Sequence, residues 1–374
     1  MDPRYVQFAD TLVNYSIEVQ PGEVVYIDVM ENTPIEFVRA VMIAVQKAGG
    51  LPYPRRSNER LWRQMISCAD KRLFKFAANV ELTMLDADKG ILIRDFGNIL
   101  YGSDVPEDAM KLWSRYFRRP TLGVRTAVEN WVLTRWPTPA MAQLFGMSTE
   151  ALEDFFFACV GIDYARMARA ARPLQRLMEQ TDQVRIVGPG DTNLTFSIKG
   201  IGAVPCIGKI NIPDGEVFTA PVRRSMDGVA QYNTKTISQD GHIFEGIRFD
   251  VKKGRIVGAT CQIGSESALN RILDRDPGAR YFGEWSLAFH PLITNTYGEI
   301  LFDEKRRESF HLTPGDCYAR TNNGNKSGVH WDIVCVQSED MGGGEIYFDG
   351  KLIRKDGLFV PKSLQGLNPK SLMN

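Results

Sequence analysis

Over residues 3–17 the apolar positions Tyr5, Val6, Phe8, Ala9, Leu12 and Val13 recur at helical spacing, and Gln20-Pro21-Gly22-Glu23 ends that element in a turn. Val24-Val25-Tyr26-Ile27-Asp28-Val29 follows as a mostly apolar run of strand length. Asn32-Thr33-Pro34 then offers a cap and a first-turn proline to an amphipathic helix from Ile35 to Lys47, which Gly49-Gly50 closes. Extended chain resumes at Leu51-Pro52-Tyr53-Pro54. Strand, helix and strand over short connections predict a parallel βαβ unit. Helical stretches at 58–87 and 106–117 alternate with the extended Gly90-Ile91-Leu92-Ile93-Arg94 and Trp131-Val132-Leu133. Beyond Trp136-Pro137-Thr138-Pro139, Ser148 or Thr149 is placed to cap a helix whose Phe155-Phe156-Phe157 reads as core, and a long helix spans Asp163 to Glu179. The first half is expected to be an α/β layer around a parallel sheet.

After Thr181-Asp182 the pattern changes to short strands and turns. Residues 184–198 read as strand, tight turn and strand, and hairpin material recurs at 243–258 and 345–353. The helices expected here are Ser265 to Asp274 and a short one from Phe302 to Arg307. The sequence therefore predicts two domains: an α/β domain over 1–182, and a mostly β (α+β) catalytic domain over 183–374. A length of 374 residues favours two cores over one.

Charge balance narrows the partners. Lysine plus arginine equals aspartate plus glutamate at 45 each, so no global basic field exists to recruit nucleic acid or an anionic membrane. No apolar run has a bilayer-spanning length, and no hydrophobic signal core follows Met1-Asp2-Pro3-Arg4. A small-molecule partner and a cytoplasmic location are expected. The six cysteines are scattered without a C-x-x-C pair, which fits neither a zinc knuckle nor a disulfide framework. Cys317 and Cys335, although near histidines, read first as small apolar filler.

Histidine placement carries the chemistry. Three of the four histidines, His290, His311 and His330, fall between Glu284 and Asp332. In Gly328-Val329-His330-Trp331-Asp332-Ile333-Val334 the imidazole and the carboxylate are two apart, a spacing that turns both to one side of a strand. That convergence reads as a metal site. Glu216, emerging from a Pro213-Asp214-Gly215 turn, and Glu284, set in an apolar run that demands a cation for a buried carboxylate, qualify by their surroundings. Tyr318 follows His311 across a Pro314-Gly315 turn. His290 reads equally as a hydrogen-bonded core histidine or as support for a ligand. Arg223-Arg224 and Lys305-Arg306-Arg307 read as solvated faces.

These segments together resemble the M29 metallo-aminopeptidases. The resemblance rests on Asn211-Ile212-Pro213-Asp214-Gly215-Glu216-Val217-Phe218, Gly283-Glu284, Leu301-Phe302-Asp303-Glu304, His311 with Tyr318, and Asn325-Lys326-Ser327-Gly328-Val329-His330-Trp331-Asp332. It implies a two-metal site with ligands Glu216, Glu284, His311, His330 and Asp332, Tyr318 as a catalytic hydroxyl, and a homodimer acting on small peptides. Where the family has Asp-Glu-Asn before its first histidine, this chain reads Asp303-Glu304-Lys305, with extra residues before His311. Carboxylates and imidazoles without thiolates suit zinc, cobalt or manganese, and five ligands exceed the needs of one catalytic zinc. Glu284 or Glu216 is the candidate to carry a proton to the leaving amine. A competing reading takes His311, His330 and Asp332 as a triad holding one Fe(II), as in the ring-cleaving dihydroxypyridine dioxygenases; two additional glutamates are more than that site needs.

Overall fold

The computed structural model of the chain describes residues 1–84, 86–98, 101, 104–121, 131–238 and 241–373. They form two compact units: 1–161 with 208–212, and 162–207 with 213–374.

The first unit is built on five parallel strands in the order Leu51–Ser57, Val24–Met30, Lys89–Arg94, Trp131–Arg135 and Asn211–Ile212. The α/β expectation holds, and the helix Ile35–Lys47 has the ends read from the sequence. Its start differs in detail. Asn32 and Thr33 leave the helix uncapped, because both side chains donate to Asp95, at 2.8 and 3.2 Å. The stretch expected to be helical over 58–87 contains two helices, Glu59–Ser67 and Lys71–Met84. Ser148 caps Thr149–Val160 by accepting from the Ala151 amide. Phe156 and Phe157 are buried there, whereas Phe155 is only half-buried.

The second unit takes in the helix Tyr164–Gln180, which lies before the boundary expected at 182/183. Its buried Tyr164, Met167, Ala171, Leu174 and Met178 recur at helical spacing and form the stripe that packs there. The unit's strands form an eight-stranded sheet, a five-stranded sheet and a two-stranded one, Thr236–Ile237 with Ile243–Phe244. The five-stranded sheet has the order Val334–Val336, Ser309–Pro314, Phe282–Ala288, Glu216–Thr219 and Val204–Cys206, antiparallel throughout. Trp285 at its centre is fully buried; its ring centroid lies 5.2 Å from Phe196 and 5.9 Å from Phe348, both on the larger sheet. Burying an aromatic of this size contributes about 2–3 kcal/mol and pins one sheet to the other.

Candidate metal centre

Register assembles the site. Ser286 lies opposite His311 on one neighbour and opposite Phe218 on the other, Glu284 pairs with Thr313, and Ala288 pairs with Glu216. Side chains alternate along a strand and directly paired residues share a face. Glu216, Phe218, Glu284, Ser286, His311 and Thr313 therefore emerge on one side of the sheet. Val217, Trp285, Leu287, Phe310 and Leu312 occupy the other, the core side.

His330 and Asp332 approach from a different segment. The regular strand begins only at Val334, so the expected strand through His330 is instead extended chain with a single bridge to Gly315. The two-residue repeat nonetheless reaches back. Val329, Trp331 and Ile333 are buried, and His330 and Asp332 turn the other way. Close backbone approach brings this segment in. Gly315 has φ +110°, and a Cβ there would strike the Val329 carbonyl. The Asp316 amide then donates to the Val329 carbonyl at 2.7 Å.

The resulting geometry centres on Glu284. Its Oε1 lies 3.2 Å from His311 Nε2, and its Oε2 lies 3.4 Å from His330 Nε2. Glu216 Oε2 is 3.5 Å from His311 Nδ1, and Asp332 Oδ1 is 3.4 Å from His330 Nε2. The donor atoms of Glu216, Glu284 and His311 lie within 4.8 Å of one another, as do those of Glu284, His330 and Asp332. Hydrogen bonds orient these candidate ligands. Ser286 Oγ donates to Glu216 Oε2 at 2.7 Å, and Thr313 Oγ1 donates to Asp332 Oδ1 at 2.6 Å. His330 Nδ1 donates to the Asp316 carbonyl at 2.9 Å, which leaves its Nε2 lone pair for the cluster. Tyr318 is half-exposed at the rim, with its ring edge-on to His330 at 4.9 Å and to Phe218 at 5.5 Å.

Lys305 and Asp214 join the cluster as well, together with Glu304. Lys305 and Arg306, expected on a solvated face, are buried, at 1% and 6% exposure. The Lys305 ammonium contacts Glu216 Oε1, lies 2.9 Å from Glu304 Oε1, and is 3.3 Å from Asp214 Oδ1. A signal was present: Leu301 and Phe302 are buried in the one-turn helix Ile300–Asp303, and Lys305 and Arg306 follow four residues after them. His290 stays out of the cluster. It is fully buried, and its Nδ1 accepts from the Leu292 amide at 3.3 Å.

Electrostatics follow from this crowding. Burial alone would lower His311, but Glu216 and Glu284 overcome it and push its pKa up to about 9. His330 is likewise carried well above its ordinary value, against burial, by Tyr318, Asp332 and Glu284. Burial drives Glu304 up to about 8, with Lys305 opposing and Glu216 and Asp332 adding repulsion. Four carboxylates, Asp214, Glu216, Glu284 and Asp332, share the cluster with one ammonium, a formal deficit of three charges, and Glu304 adds to it as it ionises. Buried charge of that size requires compensation. Divalent cations supply it when both imidazoles are neutral. His311 Nδ1, buried and without a hydrogen-bond partner among the described residues, is a further atom suited to an ion.

Comparison with known proteins agrees with this chemistry. Residues 1–359 match the thermophilic metalloprotease (M29) family. Aminopeptidase 2 of Geobacillus stearothermophilus is 32% identical over 95% of both chains. Aminopeptidase PepS of Streptococcus thermophilus is 32% identical over 49% of this chain, a match that spans about half (48%) of that relative's length. Among solved structures, wild-type AmpT from Thermus thermophilus aligns over 96% of this chain and 99% of its own with a TM-score of 0.78 at 20% identity. The 2,5-dihydroxypyridine dioxygenase of Pseudomonas putida KT2440 aligns over 97% and 99% with a TM-score of 0.61 at 14% identity. Both structures share the fold.

Proposed function

The chain belongs to the M29 family of thermophilic metalloproteases, and from that premise we propose that its metal-dependent aminopeptidase activity runs on two ions that share Glu284. The observation that carries this reading is the position of Glu284 between two imidazoles, one to each carboxylate oxygen, at 3.2 and 3.4 Å. Glu216 and His311 would complete one ligand set; His330 and Asp332 would complete the other. Zinc, cobalt or manganese fits these oxygen and nitrogen donors. Such a pair supplies an acidified water and polarises the scissile carbonyl.

The chain's own residues then have distinct tasks. Both oxygens of Glu284 are engaged, which suits a shared ligand and moves the proton-carrying role, first expected of Glu284 or Glu216, to Glu304. Its carboxylate lies beside the cluster, 2.9 Å from the Lys305 ammonium, and would relay the proton to the leaving amine. Tyr318, at the open rim, donates a hydrogen bond to the oxygen that gains charge as the peptide bond is attacked. Short peptides are the substrate class. A cytoplasmic homodimer accompanies this proposal, resting on the family resemblance; sedimentation and cell fractionation test it.

Hydrolysis of aminoacyl-p-nitroanilides tests the assignment. Activity is expected to vanish on chelation, to return with about two divalent ions per chain, and to drop more than about 100-fold in Glu284→Gln, beyond the loss typical of outer contacts. The single-iron alternative draws on the shared dioxygenase fold. One iron per chain with oxygen uptake on a dihydroxypyridine, and no peptide hydrolysis, would overturn the two-ion reading.

A further inference from the structure

Beside the two groups built on Glu284 lies a third set of donors: Cys206, Asp214 and Glu216 place one sulfur and two oxygens within 4.8 Å of one another. By residue type this is a third metal site, in which Glu216 would serve twice. Its space is already taken by a cation. The Lys305 ammonium has three N–H donors, and three carboxylates surround it: Glu216 Oε1 in close contact, Glu304 Oε1 at 2.9 Å and Asp214 Oδ1 at 3.3 Å. The lysine side chain is 1% exposed, Asp214 1% and Glu216 4%. Cys206 is close enough to interact electrostatically with the ammonium.

We propose that Lys305 is a resident cation filling the Cys206–Asp214–Glu216 position, which therefore excludes metal in the native chain and accepts an ion once the lysine is removed. Two consequences follow for the neighbouring centre, and they rest on the two-ion reading above. Glu216 has one oxygen committed to Lys305, so only Oε2, steadied by Ser286, is turned toward His311 and a metal. Cys206 is kept out of the ligand set. The working ions then see only oxygen and nitrogen donors, and the thiol is shielded from the metal that would ionise it.

Cobalt(II) loading reads this directly, because a cobalt–thiolate bond adds a charge-transfer band in the near ultraviolet that oxygen and nitrogen ligands do not produce. Wild-type protein loaded with cobalt chloride is expected to lack the band, and Cys206→Ser to hold the same number of ions. Lys305→Met is expected to bind one more cobalt per chain than wild type and to show the band, and Lys305→Met with Cys206→Ser to lose it. An unchanged ion count in Lys305→Met, or a thiolate band in wild type, overturns the proposal. If Lys305→Met does not fold, the wild-type spectrum and the Cys206→Ser count decide alone. The number of ions in wild type tests the two-ion reading; the difference between variant and wild type tests the role of Lys305.

Discussion

Metal binding should be strongly coupled to proton release. In the metal-free protein His311 holds its proton up to about pH 9 because Glu216 and Glu284 outweigh the penalty of burial, and His330 also titrates well above its ordinary value. An ion needs the neutral imidazole, so at pH 7 it displaces a proton bound two decades more tightly than the solvent condition. That weakens the apparent affinity about 50-fold at pH 7 relative to pH 9. The same proton contributes to stability. A histidine raised from 6.5 to about 9 stabilises the metal-free fold by about 3 kcal/mol below pH 6.5. This contribution fades as pH rises through 9. The metal-free protein is expected to weaken over that interval while the loaded protein does not. Calorimetric titration of zinc into chelator-treated protein, in two buffers of different ionisation enthalpy, counts the protons; about two per chain are expected at pH 7, one from each imidazole. Release of none, or a metal-free urea midpoint that stays flat from pH 6.5 to pH 9, would refute the reasoning.

Tyr318→Phe removes the rim hydroxyl but none of the ligands. It is expected to lower kcat about 100-fold with KM and ion content nearly unchanged, and loss of bound metal instead would assign the ring a structural role against His330. Arg354 is fully buried and donates to the carbonyls of Gly357, Ser309 and Ala288 at 2.7, 2.6 and 3.3 Å. Arg354→Met strands those acceptors and is expected to cost about 3 kcal/mol in urea unfolding; a loss below about 1 kcal/mol would mean that the carbonyls find other partners. Gly315→Ala forces a side chain into the Val329 carbonyl and is expected to displace His330, weakening metal binding about tenfold or more. Equilibrium dialysis with zinc checks that outcome, and unchanged affinity counts against it.

The parts of this molecule legible in its sequence are those governed by local spacing. The helix Ile35–Lys47 is readable from its apolar stripe and terminal glycines, and the His330-x-Asp332 pair from a two-residue repeat that persists although the regular strand starts later. Lys305 and Asp214 were not legible as members of the cluster. Their burial depends on strands far apart in the chain, and a lysine beside two arginines has the local look of a solvated face. The failed cap at Asn32-Thr33 has the same origin, since Asp95, distant in sequence, draws both side chains away.

The alternation along Phe282–Ala288 and its two neighbours has a consequence for how such a protein changes. Folding instructions and chemical instructions are interleaved on the same strands: Trp285 and Leu287 serve the first, Glu284 and Ser286 the second. A scan of every substitution along this strand, scored once for abundance and once for turnover, should beat with a period of two, the scores moving together at Trp285 and Leu287 and parting at Glu284 and Ser286. Inheritance can thus rewrite one set while keeping the other.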